Sequence, residues 1–166
     1  MKPARSAALA VVLLLISGHA AIAVCTDAAE PGVNWRRCYM DGRELHNVNL
    51  EGAMLRDTTF QRSTMKQANM AHVDGYRAKF VSATMTGVRL DHARLIEADL
   101  TRADLTGATL VDADLRNAKF DNAILRDADL TGARLQGTDF RNADLSGATW
   151  VDGSRKCAEQ SIGQCN

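Results

Sequence analysis

From Trp35 to Trp150 every residue whose number is divisible by five is a large apolar residue, with the single exception of Gly75. The frame runs through 24 such centres without an insertion or deletion. An α-helix repeats its faces every 3.6 residues and a strand every 2, so a period of five belongs to neither. The position two before each centre is small in most repeats, alanine in 15 of the 24. Each repeat is too short to bury an apolar face alone, so the repeats must stack on one another as a solenoid.

The stretch "ADLTRADLTGATLVDADLRNAKF" carries the pattern most cleanly: alanine, then aspartate or asparagine, then leucine, then two free positions. It resembles the pentapeptide-repeat family, and the resemblance extends over residues 33–152. That resemblance implies an all-β fold, a right-handed quadrilateral parallel β-helix with four pentapeptides per coil and about six coils. Centres and small residues would point inward, and the other three positions outward.

A coil of 20 residues can be tested on the sequence itself. All four phenylalanines, Phe60, Phe80, Phe120 and Phe140, differ by multiples of 20 and would share one interior column. The outward position before each centre reads Asp74, Arg94, Asp114, Arg134 on one side and Lys79, Asp99, Lys119, Asp139 on the next. Coils stacked about 4.8 Å apart would turn these into ladders of alternating charge. Trp35 and Trp150, the first and last centres, are expected to lie as lids over the terminal coils, which protects the open ends of a solenoid.

The chain divides into four segments on this reading. Lys2 and Arg5, the apolar run "ALAVVLLLI" and Ala21-Ile22-Ala23 read as a signal peptide over 1–23, cleaved after Ala23. The apolar run is too short for a membrane span, and Val24 before Cys25 argues against lipid modification. Residues 24–32 then form an N-terminal cap, 33–152 the β-helix and 153–166 a C-terminal cap. Cys25, Cys38, Cys157 and Cys165 fall as two pairs near the ends, an even count that in an exported chain points to disulfides. Each pair is expected to close locally, because short loops lose less entropy. Periplasmic or secreted placement follows. Cys38 and Arg43 occupy small-residue slots, so the first coil is expected to be irregular.

Charge excludes some functions. Losing Lys2 and Arg5 from the 20 basic residues leaves 18 against 20 acidic, so neither a nucleic-acid binder nor an acidic mimic of nucleic acid is indicated. The family resemblance also implies an alternative, a DNA-mimicking protein that binds gyrase, but that needs a cytoplasmic location and an acidic surface. No serine stands in a recognisable nucleophile motif, no glycine-rich phosphate loop occurs, and no cofactor is expected.

The remaining candidates are departures from the repeat. The residue two after each centre should turn a corner, and from Gly107 onward it is glycine, asparagine or aspartate. Earlier corners carry residues such as Arg62, His72, Arg77, His92 and Arg102, so a special surface is expected in the N-terminal half. The candidate surface is His72, Tyr76, Arg77, His92, Ile96 and Arg102. Gly75 would leave a dent in a leucine-sized site, which Tyr76 can fill by tilting inward or a ligand group can enter. His72, His92 and Asp112, each 20 apart with Asp91 alongside, form a row with metal-binding chemistry. Taken together, these features describe an exported non-enzymatic scaffold or binding module of the cell envelope, meeting a protein or polymer partner with a rigid face.

Overall fold

The computed structural model describes residues 25–166. The segment read as a signal peptide, 1–23, lies outside the described residues, as does Val24. Among the described residues no helix is long and apolar enough to cross a membrane.

The chain winds as a parallel β-solenoid whose register is 20 residues. Parallel bridges join Asn34 to Met54, Met54 to Asp74 and so on in unbroken steps of 20, up to Asp129 with Thr149. Each side of a coil is so short that it contributes one bridged residue, the one before a centre. Four faces result, which are named by order. The first carries centres Trp35, Leu55, Gly75, Leu95, Leu115 and Leu135, and the second, third and fourth begin at Met40, Leu45 and Leu50.

Hydrogen-bond accounting explains why the repeat has the residues it has. From Trp35 to Leu130 each centre donates its N–H to the next coil, as Leu100 does to Lys119 O at 2.8 Å, and the residue before a centre donates to the previous coil, as Asp99 does to Ala78 O at 2.9 Å. The corner residue donates to the next coil as well, Arg102 to Asp121 O at 2.9 Å, and the small residue closes a turn onto the centre, Ala103 to Leu100 O at 3.0 Å. Only the N–H directly after the centre lacks a regular backbone acceptor. The aspartate or asparagine before the centre takes it: Thr101 N–H donates to Asp99 Oδ1 at 3.0 Å, and Thr106, Thr131 and Ser146 donate likewise to Asp104, Asp129 and Asp144. Side chains that accept from the backbone two residues on are what these residue types do well, so the aspartates are structural.

The corner turns need a left-handed residue in third place. From Arg37 to Gly147 every residue two after a centre has positive φ, including Arg62, His72, Arg77, His92 and Arg102 at 56–58°. Glycine takes this conformation without strain and asparagine, aspartate or histidine with less than most, whereas for arginine it is unfavourable.

Inside, the expected columns are present. Phe60 and Phe80 stack with ring centroids 5.3 Å apart and parallel planes, and Phe120 and Phe140 stack at 5.2 Å. Leu100 separates the two pairs in the same column. Trp35 closes one end against Phe60 at 6.4 Å, and Trp150 the other against Phe140 at 6.1 Å. The cysteines pair as Cys25–Cys38 and Cys157–Cys165. Beyond Trp150 the chain turns back antiparallel, bridging Thr149 with Lys156 and Asp144 with Ile162, so that it covers the last coil edge. Arg43, in a small-residue slot, is exposed.

The expected dent at Gly75 does not form. A Cβ placed on Gly75 would lie 2.7 Å from Leu95 Cδ2, so the leucine of the next coil already occupies the space above the glycine. Tyr76 accordingly stays outside, half-buried, rather than tilting into the core. A larger centre at 75 and the present pose of Leu95 are mutually exclusive. Gly75→Leu should therefore cost about 1–3 kcal/mol by overpacking and Leu95→Gly at least about 2–5 by the void it leaves, while the double variant recovers much of both losses. Urea denaturation of the three variants checks the coupling; simple additivity would contradict it.

Candidate functional site

The 20-residue register gathers most of the candidate surface in one place. Tyr76 and Ile96 sit on the first face, Arg77 at the corner where it meets the second, and His72 and His92 at the corner where the fourth meets it. Arg102 does not join them, since it turns the corner between the second and third faces.

Asp74 is the electrostatic hub of the first face. Arg94 Nη1 donates to Asp74 Oδ1 at 2.9 Å from the next coil, and Arg56 Nε donates to Asp74 Oδ2 from the previous one. Burial pushes the Asp74 carboxyl up, but the hydrogen bonds and charges of Arg56 and Arg94 outweigh it and hold the group below its ordinary range. Arg94 also lies over the Tyr76 ring, 5.2 Å from its centroid, and the Tyr76 hydroxyl donates to Glu97 Oε1 at 3.3 Å. Along the adjoining corner Arg77 stands between Asp57 at 3.8 Å and Glu97 at 3.9 Å.

The alternating ladders are realised on this face only in part. Asp74 pairs with Arg94 and Asp114 with Arg134 at 3.6 Å, yet among the described residues no ion pair links Lys79, Asp99, Lys119 and Asp139. At Asp139 a local partner wins. Arg141 takes Asp139 at 2.8 Å within its own repeat, as Arg116 takes Asp114 at 2.7 Å, because a carboxylate before the centre and a guanidinium after it face the same way.

The expected metal row is corrected by its geometry. His72 and His92 stack face to face, with centroids 4.9 Å apart and planes inclined by 9°. Ring-nitrogen lone pairs lie in the ring plane, so stacked imidazoles present parallel lone pairs that do not converge on one ion. Asp112 lies 3.8 Å from His92 Nδ1 through Oδ2, and its Oδ1 turns toward Gly132, where an added Cβ would meet it. Among the described residues no group of three histidine, cysteine, aspartate or glutamate side chains is placed to hold a metal ion.

The sequence reading missed Arg36, Arg37 and Arg56. Together with Asp57 and Tyr76 they line a depression of about 410 Å³ at the start of the first face. The signal was available, since Arg36 and Arg56 are 20 residues apart and Arg37 follows directly. Among the described residues the Arg36 side chain bonds the neutral Asn34, Nε to Oδ1 at 3.0 Å, and neither Arg36 nor Arg37 makes an ion pair.

A parallel solenoid with 20-residue coils, left-handed corners and an aspartate or asparagine bracing each turn defines a class of repeat scaffold. The chain belongs to the pentapeptide repeat family: the model for pentapeptide repeats matches in eight copies spanning residues 44–74, 53–91, 76–110 and 110–147. Solved structures agree. A pentapeptide repeat protein from the thylakoid lumen of Arabidopsis thaliana is 30% identical, with a TM-score of 0.56 over 64% of this chain and 71% of that one. Rfr23 from the cyanobacterium Cyanothece 51142 is 24% identical, with a TM-score of 0.57 over 70% of this chain and 90% of that one, and shows the fold alone. QnrB1, a plasmid-mediated fluoroquinolone resistance protein, is 23% identical over 71% of this chain and 65% of that one, but its TM-score of 0.42 carries no argument. A comparison with curated proteins returns no match. These neighbours imply that the solenoid is a right-handed quadrilateral β-helix.

Two predictions follow from the site's geometry. Because the folded Asp74 carboxyl titrates below its ordinary value of 3.8, its contribution is fully present above that value and is lost as pH falls through the lower folded one. Asp74→Asn should destabilise the protein at pH 7, and its deficit against the parent should shrink below about pH 3.8 in denaturant titrations. At the corners, Arg102→Asn should stabilise by a few tenths to about 1 kcal/mol and Asn122→Arg should destabilise by a similar amount. Equal melting temperatures for these two variants would refute the assignment of strain to the corners.

Proposed function

We propose that the protein is an exported, non-enzymatic scaffold or binding module of the cell envelope, a rod of about six coils whose first face meets a protein or polymer partner. Residues 1–23 serve as the export signal, and 24–32 and 153–166 as disulfide-tied caps on the repeat region 33–152. Two disulfide pairs support an oxidising compartment outside the cytoplasm. The lumenal source of the Arabidopsis relative is consistent with that placement.

The observation that carries the reading is the set of bulky residues held at left-handed corners beside the first face. Arg77 and Glu97 have φ of 56° and 57°, where glycine or asparagine would cost the backbone less. Such strain gathers where side chains serve something other than the fold. A rigid solenoid loses little entropy when it binds, which suits a flat recognition face. The gyrase-binding alternative is disfavoured by the near-neutral charge of the chain.

Crosslinking in cells followed by mass spectrometry tests the reading. A single envelope partner should be captured by the parent and by Arg102→Glu, and lost in Arg77→Glu. Capture unaffected by Arg77→Glu would reject the first face as the binding surface.

A further inference from the structure

The repeat supplies its arginines with carboxylates almost everywhere toward the C-terminus. Arg116 pairs with Asp114, Arg126 with Asp144, Arg134 with Asp114 and Arg141 with Asp139. At the start of the first face this economy breaks down. Arg36 and Arg37 are adjacent and exposed, Arg56 joins them from the next coil although Asp74 already holds its Nε, and neither Arg36 nor Arg37 has a carboxylate partner among the described residues. Clustered guanidinium groups repel one another, so the missing counter-charge points to a ligand that brings its own.

The shape indicates a ligand longer than a single ion. Arg37 also lines a second depression, of about 260 Å³, across the corner toward Tyr39, Arg77 and Lys79. The two depressions are contiguous through Arg37 and Asp57, which line both. A small anion fills one of them, whereas a chain of repeating anionic groups reaches both.

The remaining groups discriminate between kinds of polyanion. Asp57 lies among the cations as an acceptor for hydroxyl donors, which a polyol supplies in abundance. Tyr39 is 81% exposed and offers an open aromatic face at the second depression. Arginine forks match single carboxylates by paired hydrogen bonds.

Resting on the scaffold reading and naming its partner's chemistry, we infer that the basic depression formed by Arg36, Arg37 and Arg56, with its extension past Tyr39, binds a carboxylate-bearing polysaccharide. The guanidinium groups take the carboxylates, Asp57 accepts from ring hydroxyls and Tyr39 packs against a sugar ring.

The test uses the full exported chain and short polygalacturonate as the probe, followed by calorimetry at low and high salt. Binding should weaken as salt rises. Arg36→Gln/Arg37→Gln should lose at least about tenfold in affinity, while Arg116→Gln on the same face stays within about twofold. Tyr39→Ala should weaken binding to polygalacturonate and leave competition by polyglutamate unchanged. Thermal melts of each variant confirm that the rod is intact. No binding of polygalacturonate, or an unaltered affinity in the double arginine variant, would overturn the proposal, and so would equal competition by polyglutamate, which would reduce the site to nonspecific attraction. Capture of a protein partner through Arg77 by a parent protein that does not bind polygalacturonate would leave the scaffold reading standing and remove only this one.

Discussion

The hydrogen-bonded register of 20 residues is the constraint on which everything else in this molecule depends. It ties each centre to the coil above and the small residue's neighbour to the coil below, and it leaves one backbone donor per repeat to be satisfied by a side chain. From that single shortage comes the aspartate or asparagine before so many centres. The same register fixes which side chains meet: Phe60 on Phe80, His72 on His92, Arg94 on Asp74. Function in such a rod is a matter of columns, because the register decides which side chains come together on each face.

The contrast between the two halves of the rod is chemical more than architectural. Corners in both halves have the same backbone conformation, yet from Gly107 onward they carry residues that tolerate it, and before that they carry several that do not. Carboxylates in the C-terminal half are consumed by nearby arginines and by turn N–H groups; Asp114 and Asp144 each do both. Their titration is accordingly held low. In Asp114 the Arg116 hydrogen bond is the leading cause, and in Asp144 burial opposes the shift but is outweighed by Ser146 and Arg126. The first face near the N-terminus keeps two cations, Arg36 and Arg37, without a carboxylate partner among the described residues.

Much of this was legible in the sequence because a solenoid makes contacts at a constant separation. Knowing the period gives the phenylalanine column, the tryptophan lids and the grouping of Tyr76, Arg77 and Ile96. What the period cannot give is the direction in which a side chain leans between layers. Leu95 reaches over Gly75, so an apparent hole is full. His72 and His92 are adjacent as expected, but they lie flat on each other, and that orientation removes the metal site their spacing suggested. Likewise the Lys79 ladder forms no ion pairs among the described residues; at its last step Asp139 is taken by Arg141 of its own repeat. Arg36 and Arg37 directly follow the first centre, Trp35, and their sequence positions do not show that the carboxylates near them are engaged elsewhere, Asp57 with Arg77 and Asp74 with Arg56 and Arg94.

The most direct test of the register is a distance between labels on one outward column. Spin labels at Tyr39 and Lys119, both exposed and 80 residues apart, lie four coils from each other. At about 4.8 Å per coil the account predicts a single narrow distribution near 19 Å, widened only by the label arms. A mean well beyond that, or a broad distribution, would contradict the 20-residue coil and with it the faces built upon it.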